Sequence, residues 1–87
     1  MFTKEITLTN KTGLHARPAS LFVKEASKFS SVIMVAKNGK KYNAKSIIGV
    51  LSMGAGNGDT ISIIADGNDE VEAVEALINL VKSNFNE

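Results

Sequence analysis

The sequence has a single histidine, His15, set in the run Gly13-Leu14-His15-Ala16-Arg17-Pro18-Ala19. A lone histidine in a small domain is ordinarily structural or a solvated surface group, so its setting has to carry any argument for chemistry. Pro18 supplies part of that setting. A helix accepts proline in its first turn, where the missing N–H is not needed, and this places a helix start at His15 or Ala16. Helix starts present unpaired backbone N–H groups and the positive end of the macrodipole, which together favour an anion. Arg17 adds a planar guanidinium suited to phosphate oxygens. Reversible phosphoryl transfer asks for a nitrogen nucleophile and preorganised positive charge, and His15 with Arg17 offers both.

No other constellation competes. The chain has no cysteine, no second histidine, no cluster with metal-ligand spacing and no convincing carboxylate pair. Neither a metal nor a cofactor is expected. The glycine cluster Gly54-Ala55-Gly56-Asn57-Gly58 is not followed by the Lys-Ser or Lys-Thr of a phosphate-binding loop. It also lies between a predicted helix and a predicted strand, the reverse of a dinucleotide fingerprint. Helix termination and a turn explain it better. Ser46 precedes a short apolar segment, and its residue type alone favours a helix N-cap.

The elements that would position these residues follow from hydrophobic periodicity. Thr3 to Thr9 alternates as a half-buried strand with Ile6 and Leu8 on one face. From Ala16 to about Lys28, the residues Ala19, Phe22, Val23, Ala26 and Phe29 recur at helical spacing. Val32 to Lys37 and Lys40 to Asn43 flank Asn38-Gly39, a strong two-residue hairpin signal. A short helix after Ser46 is ended by the glycine cluster, and Thr60 to Ala65 reads as another strand. Asp69 with Glu72 reads as a capping box for a last helix whose stripe is Val71, Val74, Leu77, Ile78, Val81 and Phe85. The order β-α-β-β-α-β-α argues for an α+β domain, an antiparallel sheet with helices on one face.

A short helix cannot bury residues all round. Val50 and Met53 are assigned to the core, while Ile47, Ile48 and Leu51 are expected to form an exposed apolar patch near His15, suited to docking. Ser20 and Lys24, one and two turns beyond His15, would border it. Val32 and Met34 face outward if Ile33 and Val35 face inward.

Composition bounds the rest. At 87 residues and 44% apolar content this reads as one domain with enough core to fold without disulfides or metal. The net charge is +1, yet residues 1–45 hold nine of the ten basic residues and two of the nine acidic ones. That split permits a basic face for an acidic partner. The basic residues lack an interleaved aromatic platform, which disfavours nucleic acid as a partner. No apolar run is long enough to cross a bilayer, and the first residues read as a strand and not a signal peptide. A cytoplasmic monomer with no membrane insertion is the expectation, and the lack of cysteine fits a reducing compartment.

The run from Gly13 to Ala19 resembles the active-site motif of the HPr family, the histidine-containing phosphocarriers of the bacterial sugar phosphotransferase system. The resemblance extends along the chain and includes Lys45-Ser46-Ile47-Ile48-Gly49-Val50 with the glycine-bearing loop beyond it. It implies an open-faced β-sandwich, a four-stranded antiparallel sheet covered on one side by three helices. It implies a carrier and not an enzyme. His15 would accept phosphate on Nδ1 from phosphorylated enzyme I, itself charged by phosphoenolpyruvate, with Arg17 steadying the group. The IIA domain of a sugar permease would then receive it. The segment around Ser46 looks like the regulatory serine region of Gram-positive members, which implies an HPr kinase/phosphorylase and a catabolite-control transcription factor as further partners. Two other readings stay in view. One is a regulatory homologue acting through Ser46 without carrying phosphate, a kind of relative that lacks the active-site histidine. The other is a phosphocarrier dedicated to a regulatory chain.

Overall fold

The computed structural model describes residues 1–86. Its elements follow the expected order: β1 (Phe2–Thr7), α1 (Ala16–Ala26), β2 (Val32–Lys37), β3 (Lys40–Asn43), α2 (Ile47–Met53), β4 (Thr60–Asp66) and α3 (Glu70–Lys82), then a tight turn at Asn84–Asn86. The strands form one four-stranded sheet in the order β1-β4-β2-β3, and every neighbouring pair is antiparallel. The sequence-adjacent β2 and β3 are joined by Asn38-Gly39, both with positive φ (53° and 82°), as the hairpin signal required. Placing β4 between β1 and β2 needs crossovers, and α1 and α2 with their loops make the long connections around it.

Alternation decides which face is covered. Ile61, Ile63 and Ala65 of β4 and Ile33 and Val35 of β2 are buried on the inner face. They pack against Phe22, Ala19 and Ala26 of α1, Val50 and Met53 of α2 and Val74, Leu77 and Val81 of α3 within one core. On the outer face Val32 is exposed and Met34 is half-buried. The sheet is therefore open on one side.

Several boundaries differ from expectation for local reasons. β1 ends at Thr7, but Leu8 stays fully buried. Its N–H donates to Asp59 O at 2.9 Å and its carbonyl accepts from Gly58 N at 2.8 Å, so pairing continues past the start of β4. α1 stops at Ala26, because Lys28 N and Phe29 N turn to carbonyls three residues back, tightening the last turn. Val71 is exposed, whereas Glu70, closer to the centre of the helix stripe, is half-buried with its carboxylate on Gly67 N at 3.1 Å. Phe85 does belong to the core, but not as a helical residue. α3 has ended by Lys82, and Phe85 is carried in by backbone of positive φ (58°).

The Asp69–Glu72 capping box does not form. Asp69 stands at the N-cap of α3 without a side-chain cap bond. Its carboxylate instead accepts from Ser30 N at 2.9 Å and Ser31 N at 3.0 Å, and from the hydroxyls of both serines. The Ser31 hydroxyl first, and the Ser30 N–H next, hold the Asp69 carboxyl well below its ordinary 3.8, at about 2. The acid meant for its own helix thus ties α3 to the α1–β2 turn.

Candidate functional site

His15 is the N-cap of α1. Its backbone is extended (φ −131°, ψ 150°), and its side chain makes no capping bond. The imidazole is exposed, as are Ala16 and Arg17. Pro18 occupies the third helical position, where it is buried and needs no N–H. The N–H groups of Ala16 and Arg17 have no acceptor among the described residues. The helix start therefore presents an exposed ring, an exposed guanidinium and two free backbone donors at the positive end of an 11-residue helix.

The residue after the histidine carries strain. Ala16 has φ 47°, a left-handed conformation that costs a residue with a Cβ about 1–2 kcal/mol. Such a conformation persists only where the neighbourhood over-determines it, and here the preceding turn does so. Gly13 has φ 62°, and a Cβ placed on it would lie 2.4 Å from Ala55 O and from Gly56 Cα. Leu14 is buried, and its N–H donates to Ala55 O at 2.9 Å. The loop after α2 is the surface against which the histidine turn is pressed. That loop is braced in its own right. Asp59 Oδ2 accepts from Gly56 N at 2.8 Å and pairs with Lys37 Nζ at 3.0 Å, and Lys37 Nζ also donates to Gly54 O at 3.1 Å. The Gly56 N–H first, then Lys37, hold the Asp59 carboxyl below its ordinary value.

The remaining candidates fall on two adjoining helices. Ser20 and Lys24 follow Ala16 at four-residue intervals on the exposed face of α1, opposite Pro18, Ala19, Phe22 and Ala26. Neither Arg17 nor Lys24 has an acidic partner among the described residues, while Lys28 is engaged by Glu25 at 3.0 Å. On α2, which packs beside α1, Val50 and Met53 face the core. Ile48 is 74% exposed, and Ile47 and Leu51 are each 40% exposed. Ser46 caps α2, its Oγ accepting from Gly49 N at 3.1 Å. It stands at the opposite end of α2 from the loop that touches the histidine turn, so the structure does not bring Ser46 and His15 together. Lys45, beside it, is committed to Phe29 O at 2.6 Å.

Gly13 as a contact residue, the left-handed Ala16, and the bracing by Lys37 and Asp59 were not read from the sequence. Only Gly13 left a signal there, as a glycine two residues before the histidine. Among the described residues there is no group of three metal-ligating side chains, and no helix is long and apolar enough to cross a membrane.

Comparison with known proteins gives a consistent picture. The family described as PTS HPr component phosphorylation site matches residues 2–83. The HPr-like protein Crh of Halalkalibacterium halodurans is 54% identical over 82 residues, covering 94% of this chain and 98% of that protein. The phosphocarrier protein HPr of Treponema pallidum is 42% identical over 87 residues, covering 100% of this chain and 99% of its own. The crystal structure of HPr-C-His from Thermoanaerobacter tengcongensis superposes with a TM-score of 0.98 at 54% identity, covering 100% of this chain and 98% of that one.

Proposed function

This chain belongs to the HPr family, and from that premise we propose that it is a working phosphocarrier with His15 as the acceptor. The observation that carries the reading is the division of labour at the start of α1. The backbone of His15 begins the helix while its imidazole stays out of the cap. The ring is thereby available for chemistry, and the Ala16 and Arg17 N–H groups are left for an anion. As the bond from phosphorus to enzyme I breaks, the bond from phosphorus to His15 Nδ1 forms. The three phosphoryl oxygens meet the two N–H groups and the Arg17 guanidinium. The reverse exchange delivers the group to a IIA domain, with no water consumed and no cofactor involved.

Ser20, Lys24, Ile47, Ile48 and Leu51 form the docking face in this proposal, an apolar patch rimmed by a hydroxyl and a free cation. Ser46 is a regulatory phosphorylation site for an ATP-dependent kinase/phosphorylase, and a catabolite-control transcription factor is a further partner. The protein works in the cytoplasm as a monomer. Incubation with enzyme I and labelled phosphoenolpyruvate tests the core of the proposal. Label should be acid-labile, stable to alkali and absent from His15→Ala; label persisting in that variant sinks it. ATP and the kinase should label the native chain but not Ser46→Ala.

A second reading, a regulatory homologue that carries nothing, rests on the 54% identity with an HPr-like protein Crh, which HPr-C-His of Thermoanaerobacter tengcongensis equals. His15 and Arg17 weigh against it, because the non-carrying relatives lack the histidine. The labelling experiment separates the two.

A further inference from the structure

We propose that Asn10 is a positioning residue for His15, fixing the peptide plane from which the histidine turn leaves the sheet. Asn10 is 3% exposed, although it lies in the loop after β1 and carries an amide. Both of its polar ends close on Gly13. Its carbonyl accepts from Gly13 N at 3.2 Å, and its side-chain Nδ2 donates to Gly13 O at 2.9 Å. Asn57 Nδ2 donates to the same Asn10 carbonyl at 3.1 Å, joining the turn to the 54–58 loop.

The consequence lies in one peptide unit. Gly13 O and Leu14 N are the two ends of the Gly13–Leu14 peptide. The first is held by Asn10 Nδ2 and the second by Ala55 O at 2.9 Å. With both ends pinned the plane cannot rock about the chain. Leu14 is buried, so the direction in which His15 and the strained Ala16 depart is set. Remove Nδ2 and one pin remains.

The other half of the amide offsets the stability that the clamp contributes. Asn10 Oδ1 is buried and takes no donor among the described residues. A buried amide oxygen left unpaired destabilises the fold, and an apolar side chain of similar volume would remove it while taking the donor from the Gly13 carbonyl. The structure accepts the unpaired oxygen together with the N–H that clamps Gly13.

The two roles separate in Asn10→Leu, which removes the unpaired oxygen and the clamp together, with Asn10→Ala as a second variant. The first readout is amide hydrogen exchange on the intact protein, which involves no phosphate. Exchange at Leu14 N–H should speed about tenfold, with amides in the middle of α3 unchanged. The second is the rate of His15 phosphorylation by phosphoramidate, in which the bond from phosphorus to the donor nitrogen breaks, the bond to the imidazole forms and ammonia leaves. That rate should fall about tenfold, while the melting temperature of Asn10→Leu stays within a few degrees of native, because the variant removes one unpaired oxygen and leaves the Gly13 carbonyl without its donor. Unchanged exchange at Leu14 overturns the proposal. So does an unchanged phosphorylation rate in variants that melt lower, which would make Asn10 purely structural. The kinetic arm rests on the carrier reading and the exchange arm does not. If the native protein takes no phosphate but Leu14 exchange accelerates in the variants, the carrier reading has failed and the positioning of the His15 backbone stands.

Discussion

Gly13→Ala against Gly54→Ala isolates the contact that holds the histidine turn. The two glycines have nearly the same backbone, φ 62° and φ 65°, so a methyl group meets the same torsional penalty at either. That penalty is about 1–2 kcal/mol for leaving a Cβ in the left-handed region. It is offset by about 0.4–1 kcal/mol, because alanine restricts the unfolded chain more than glycine does. Gly54→Ala should therefore cost about 1 kcal/mol, since nothing lies within 4 Å of its added Cβ. At Gly13 the new atom would fall 2.4 Å from Ala55 O and from Gly56 Cα, both of them backbone. The main chain must move, and overpacking of that kind costs a further 1–3 kcal/mol or so. Gly13→Ala should thus lose about 2–4 kcal/mol, a large part of the roughly 4–13 kcal/mol expected of 87 residues. Urea unfolding followed by circular dichroism gives both values. In calorimetry the melting point should drop by about 4–8 °C for Gly54→Ala and by at least about 10 °C for Gly13→Ala. Two variants that agree within about 0.5 kcal/mol would refute the close approach and the bracing of His15 inferred from it.

Three further outcomes follow from the same geometry. Ala16→Gly should raise stability by up to about 1 kcal/mol, the torsional relief less the added freedom of the unfolded chain, read from the urea midpoint. Asp69, held at about 2 against an ordinary 3.8, stabilises the fold above the unfolded value and ceases to as pH falls through about 2. Native protein should therefore lose stability between about pH 4 and pH 2 more steeply than Asp69→Asn, and parallel curves would contradict the serine contacts. Ile48→Asp should change unfolding free energy by no more than about 0.5 kcal/mol, since the side chain is 74% exposed, while phosphorylation by enzyme I slows; a rate equal to native would remove Ile48 from the docking face.

Legibility tracked the range of the interaction. Pro18, Asn38-Gly39 and Gly54 announced their backbone in the sequence because proline and glycine restrict or free φ at their own position. The α3 stripe was legible because periodicity is local. Asp69 was misread because its partners, Ser30 and Ser31, lie some forty residues away and outcompete its own helix. Phe85 was given the right environment and the wrong backbone, since apolar character predicts burial but not the positive φ that delivers it. At the site, the placement of His15 and Arg17 at a helix start was readable from residue type and spacing. The supports were not. Asn10, Ala55 and Asn57 are ordinary loop residues until the fold places them together, and alanine at position 16 carries no sign of a left-handed torsion.

The placement of Ser46 constrains how a phosphate there could act on His15. Ser46 caps one end of α2, and the loop that grips Leu14 leaves from the other. Seven residues of helix, about 10 Å, separate Ser46 from that loop. None of the hydrogen bonds bracing the histidine turn passes through Ser46. Between the two ends lie the exposed Ile47, Ile48 and Leu51, so a partner seated there reaches both. In the proposed regulation, inhibition enters through docking of a partner that brings its own phosphoryl charge. Ser46→Asp should react with phosphoramidate at the native rate. With enzyme I it should slow, the change falling in KM and shrinking as salt is raised. Equal slowing with the small donor would show that Ser46 acts through the fold after all, along α2 to Ala55 and the histidine turn.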